Sequence, residues 1–191
     1  MTTLPTDGAP AAPVAGGTRL LIGFILIGAA VAVALGVYGR VHEPSSGALF
    51  TLGFPSPIWM KVTLATVAMV LAIVQLLTAL RMFGRIGRGP VPRATTLTHR
   101  ISGVLAVAVS VPVAFQCLWS LGFGTYDTRV LVHSLLGCAF YGVFVTKMLT
   151  LRSRRMPGWA LPLLGGALFT ALVVVWLTSA VWFLANGAPD Y

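Results

Sequence analysis

Residues 159–184 read WALPLLGGALFTALVVVWLTSAVWFL, a run without one charged side chain. A hydrocarbon core about 30 Å thick is crossed by roughly 20 apolar helical residues, and this stretch is long enough. Four earlier runs share its character. Together they predict spans near Leu20–Tyr38, Ile58–Leu80, Ile101–Leu121, Val130–Leu151 and Trp159–Leu184. Within lipid every backbone group must be bonded internally, so only helices or closed barrels cross. Barrel strands alternate apolar and polar residues; these runs are unbroken. The expected fold is all-α, a polytopic transmembrane bundle of five helices.

Composition agrees. The chain is 57% hydrophobic and 9% charged, with mean hydropathy +0.91. A soluble domain carries about 25% charged residues. The net charge of +9 raises nucleic acid as a partner, and its distribution argues against that. Arg19, Arg81, Arg85, Arg88, Arg93, Arg100, Lys147, Arg152, Arg154 and Arg155 fall on one side of alternating spans. Arg40, Lys61 and Arg129 fall on the other, with the acids Glu43, Asp127 and Asp190. By the positive-inside rule the N-terminus is expected inside and the C-terminus outside, in a multi-pass plasma-membrane protein. The basic inner loops are expected to touch anionic lipid headgroups.

Residues 1–18, rich in Pro, Ala, Gly and Thr, read as a disordered cytoplasmic tail. Residues 19–186 form the transmembrane domain and 187–191 a short outer tail. The first run has one arginine before it and no small-x-small exit, which predicts an uncleaved anchor over a signal peptide. Tyr38, Trp59, Trp119, Tyr126 and Trp182 fall at outer ends and Trp159 at an inner end, as interfacial anchors. Leu49, Phe50 and Phe54 of the long outer loop are expected along the headgroups.

Several polar or small residues inside the runs read as packing. Ala65, Ala68, Ala72 and Ala79 form a stripe with Gln75 among them, suited to close helix approach and an interhelical hydrogen bond. Gly165, Gly166 and Thr170 read the same way. Gln116 is expected to bond between helices, Lys147 to snorkel to the inner face, and Pro112 to kink the third span. Cys117 and Cys138 read as small packing residues, bridged only if their helices are staggered.

The histidines are the candidate functional residues, because ionisable groups within spans are costly and default to function. His133 lies about one turn inside the outer end of the fourth span, on a face with Arg129, Gly137, Tyr141 and Met148. A histidine followed four residues later by glycine sets a ring beside a gap, which suits a flat porphyrin. His99 and Gly103 repeat that spacing at the inner end of the third span, and His42 lies beyond the outer end of the first. Neutral imidazole is a common haem ligand. The plain alternative for each is an interfacial histidine bonding headgroups, water or a helix end.

His99-Arg-Ile-Ser-Gly103, Pro112, Cys117 and the stretch Arg129-Val-Leu-Val-His133-Ser-Leu-Leu-Gly137-Cys-Ala-Phe-Tyr-Gly142 resemble a family of small actinobacterial membrane proteins of unknown function. More remotely, the two His-x-x-x-Gly helices are similar to those of cytochrome b561 and ferric-reductase-like b-type cytochromes. That likeness implies electron transfer through haem held between helices. This sequence departs from the pattern, since a second histidine 13 or 14 residues along is replaced by Pro112-Val113 and Thr146-Lys147. His99 and His133 lie at opposite ends, on the order of 20–25 Å apart at 1.5 Å per residue, too far to share one iron. The expectation is therefore one haem b near the outer face, on His133 with His42 as second ligand. Arg40, Lys61 and Arg129 would pair its propionates, and a second inner haem on His99 has Met148 as its candidate partner.

The expected partners are the lipid bilayer and an extracytoplasmic redox protein or larger membrane complex. The competing class is a non-catalytic structural or assembly subunit of such a complex. A small transporter is disfavoured by the lack of an inverted repeat and of acids within the spans. Hydrolase chemistry is excluded by the lack of a carboxylate pair, Gly-x-Ser-x-Gly or His-Glu-x-x-His.

Overall fold

A computed structural model describes residues 15–45, 47 and 49–187. Five long helices dominate it: α1 (Ala15–Val41), α2 (Pro57–Met82), α3 (Arg93–Leu121), α4 (Thr128–Arg152) and α5 (Ala160–Asn186). Each is long and apolar enough to cross a membrane, and no strand occurs among the described residues. The chain is a multi-pass membrane protein with an all-helical fold.

Helix ends extend past the apolar runs. α2 opens with Pro57 in its first turn, and the Ser56 hydroxyl accepts from Trp59 N at 3.4 Å; both are start signals. α3 begins at Arg93, eight residues before the hydropathy rises, so His99 lies about 9 Å inside a helix and not at its mouth. α1 begins at Ala15, which puts residues 15–18 of the expected tail into a helical turn. Gly17 makes this fit, because a Cβ there would collide with the Arg155 carbonyl. Residues 1–14 of that tail and 188–191 lie outside the described residues.

Neighbours run in the order α3, α2, α5, α4, α1, and α1 closes back on the last turn of α3. α1 crosses α4 where Gly28 meets Gly142, so tightly that a Cβ on either would strike the other's carbonyl. The Thr146 hydroxyl reaches Phe24 O at 3.2 Å in the same crossing. This is small-residue packing, since lipid gives helices no hydrophobic reason to associate. Between α2 and α5, Val62 packs with Ala180 and Phe183, and Met69 and Ala72 pack with Leu172. Trp176 Nε1 donates to the Thr66 hydroxyl at 3.1 Å. α2 meets α3 through Gln75, whose Nε2 donates to Ser102 Oγ at 2.8 Å and to the His99 carbonyl.

Some packing expectations fail. Gly165 and Gly166 face open space on α5, and Thr170 is exposed. Gln116 bonds no other helix; its Nε2 donates to Phe50 O at 2.7 Å and its Oε1 accepts from Ser120. Phe50 accordingly stacks on Phe115. Cys117 and Cys138 are both free.

Two helices change their winding near one end. α3 widens to a π turn over Cys117–Leu121, where Gly122 N reaches Cys117 O at 3.0 Å. α5 does the same over Leu177–Val181, where Trp182 N reaches Leu177 O. Such π turns are frequent at functional sites.

Candidate functional site

His133 sits in the second turn of α4 and points toward α5. Its Nδ1 lies 3.1 Å from Thr178 Oγ1, inside the π turn of α5. The Thr178 hydroxyl hydrogen is committed to its own helix, at Val174 O (2.7 Å) and Val175 O (3.1 Å). The threonine oxygen therefore accepts, and the histidine donates from Nδ1. That leaves Nε2 as the unprotonated nitrogen, the tautomer that metal-ligating histidines adopt when a neighbour holds the other nitrogen. Gly137, one turn along, has nothing within 4 Å of where a Cβ would stand.

Cations converge here unequally. Arg129 donates to the Thr178 carbonyl at 2.7 Å, lies 3.6 Å from Asp127 and stacks 3.9 Å over Trp182. It is fully engaged in holding α4 to α5. Lys61 on α2 makes no hydrogen bond or ion pair among the described residues. Arg40 lies elsewhere, lining a groove between α1 and α4. Of the three expected propionate partners, Arg129 is bonded to α5, Arg40 lines a separate groove, and Lys61 has no hydrogen bond or ion pair among the described residues.

Cys117 shares this depth. Ser110 Oγ and Tyr141 Oη meet at 2.9 Å, which ties α3 to α4 at mid-span. Cys117 lies seven residues beyond Ser110, and His133 eight before Tyr141. Both are therefore about 10–12 Å toward the same end.

His42 stands apart from His133. It stacks on Tyr38 with ring centroids 5.1 Å apart and meets Trp119 at 4.5 Å. Its Nε2 is buried without a hydrogen-bond partner among the described residues. α4 turns Cys138, Gly142 and Thr146 toward α1. Those positions lie about 140°, 180° and 220° round the helix from His133. The two histidines thus occupy different faces, and no recorded contact joins them.

His99 repeats the His133 arrangement at the far end. Its Nδ1 lies 2.9 Å from Thr78 Oγ1, whose hydrogen goes to Val74 O (2.7 Å) and Gln75 O (3.1 Å). Here, however, a Cβ on Gly103 would stand 3.1–3.3 Å from the Gln75 amide; the space beside the ring is filled. Lys147 lies near enough for its charge to reach His99, while Met148 is exposed. His99 and His133 are on the order of 28 Å apart along the bundle by the same residue count. Both threonines escaped the sequence reading, because they lie 21 and 45 residues from their histidines.

No group of three or more His, Cys, Asp or Glu side chains converges as a metal site among the described residues. No curated protein and no solved structure matches the chain. Residues 20–189 match a family described as of unknown function, DUF6529, and the chain belongs to that family.

Proposed function

We propose that this chain is a membrane electron-transfer module holding one b-type haem at its His133 end. The observation that carries the reading is the His133–Thr178 pair: Nδ1 is held, Nε2 is left as the acceptor nitrogen, and no atom stands within 4 Å of where a Gly137 Cβ would be. These residues fit the group. His133 Nε2 would ligate the iron and Lys61 would pair a propionate. Bound there, haem supplies one-electron chemistry. The protein fixes the ligand's tautomer and surrounds the site with apolar helix. The His-x-x-x-Gly likeness to b561 and ferric-reductase-like bundles points the same way. His42, on a different face and without contact to His133, would not share that iron.

The charge asymmetry of the loops orients the bundle with its N-terminus inside. The His133 end then faces outward from the plasma membrane, where an extracytoplasmic redox protein would exchange electrons with it. The basic loops at the other end would lie on anionic headgroups. The test is the absorption spectrum of detergent-purified protein from haem-replete cells, oxidised and then reduced with dithionite. A Soret band with a sharp reduced α-band supports the reading, and a colourless preparation overturns it.

One observation favours a second reading. The open Gly165–Gly166 surface of α5 is shaped for close approach by another helix, as in a non-catalytic subunit of a larger complex. Co-purification of a membrane partner that Gly166→Leu abolishes, from a colourless preparation, would establish that reading instead.

A further inference from the structure

A groove of about 590 Å³ runs along the outside of the bundle between α1 and α4, a size within the usual range of ligand sites. It is separate from the histidine sites. Val33 and Val37 of α1 and Leu135 and Ala139 of α4 form its walls. Its floor exists because Gly36 has no side chain. A Cβ there would stand 3.6 Å from the Phe123 ring and 4.0 Å from Cys138 Sγ. The walls are exposed aliphatics, Val33 at 63%, so the groove opens sideways to where lipid lies. From Ala32 to Arg40 it is about 12 Å long.

One cation marks the end of this apolar slot. Arg40 occupies the last turn of α1 and lines the groove. It makes no ion pair or hydrogen bond among the described residues. An apolar trough that starts at membrane-interface depth with an uncompensated guanidinium matches one kind of occupant in both shape and charge. We propose that the groove binds one anionic phospholipid, its phosphate on Arg40 and the upper part of one acyl chain between α1 and α4. The guanidinium fork suits phosphate oxygens, and the aliphatic walls reject a polar ligand.

The test is native mass spectrometry of the full chain in mild detergent, with added phosphatidylglycerol or phosphatidylcholine as probes. Wild type is expected to retain one phosphatidylglycerol per chain and to bind phosphatidylcholine at least fivefold less. Arg40→Gln should lower phosphatidylglycerol retention at least fivefold, and Gly36→Leu should abolish it by filling the floor. Gly36→Leu sits where α1 approaches Phe123, so Val37→Asn on the exposed wall serves as a variant that does not touch the helix crossing. It should weaken retention as well. Equal retention of both lipids overturns the proposal. So does a loss produced by Arg85→Gln with Arg88→Gln but not by Arg40→Gln, which would put the lipid on the basic loops.

Discussion

His99 and His133 have the same first neighbours and opposite surroundings. Each Nδ1 meets a threonine hydroxyl on an adjacent helix, and each threonine spends its hydrogen on two carbonyls behind it. Around His99 the helices are regular, and the Gln75 amide fills the space beside Gly103 while bonding Ser102. Around His133 the flanking α5 widens into a π turn, no atom stands within 4 Å of where a Gly137 Cβ would be, and Lys61 makes no hydrogen bond or ion pair among the described residues. The spacing His-x-x-x-Gly therefore does not make a site. What the next helix puts opposite the glycine decides whether the space there is filled or open.

If that contrast is functional, matching substitutions at the two ends should have different readouts. The largest effect expected is from Thr178→Val, which removes the group that holds His133 Nδ1. Loss of such a supporting partner typically costs about 10–100-fold in metal affinity, measured here as haem retained through a dilution series. Thr78→Val should leave haem retention unchanged. Next in size, Gly137→Leu should lower haem content by occupying the open flank, with helix content and melting temperature held. Gly103→Leu should instead lower stability by about 1–3 kcal/mol through overpacking against Gln75, read by thermal melting in detergent, with no spectral change. Lys61→Met should lower haem retention a few-fold and lessen its dependence on ionic strength, whereas Lys147→Met should do neither. The smallest effect is expected from Gln75→Leu, about 0.6 kcal/mol for lost interhelical bonds, without change in haem.

Much of this fold was legible because depth is written in one dimension. The five spans followed from run length, and the shared face of Arg129, His133 and Gly137 from helical period. Helix starts were less legible: α3 continues through polar Arg93–Arg100, where backbone pairing persists after hydropathy has fallen. Azimuth was not legible at all. Arg40 and Lys61 have the same expected depth, yet one lines a groove between α1 and α4 and the other stands on α2, across the bundle order from it. His42 and His133 likewise share an end and occupy different faces. The threonines that orient the imidazoles were hidden for the same reason, since helix order α3, α2, α5, α4, α1 is fixed by packing and not by sequence proximity. The α5 glycines misled in the other direction, because small residues permit close packing without requiring it.

The most direct test of the central claim is the haem-to-chain ratio of His133→Ala and His99→Ala, purified side by side with wild type. The account predicts near-stoichiometric haem in wild type and His99→Ala, and at least a tenfold loss in His133→Ala at unchanged helix content. Equal loss in both variants, or loss in His99→Ala alone, would contradict it.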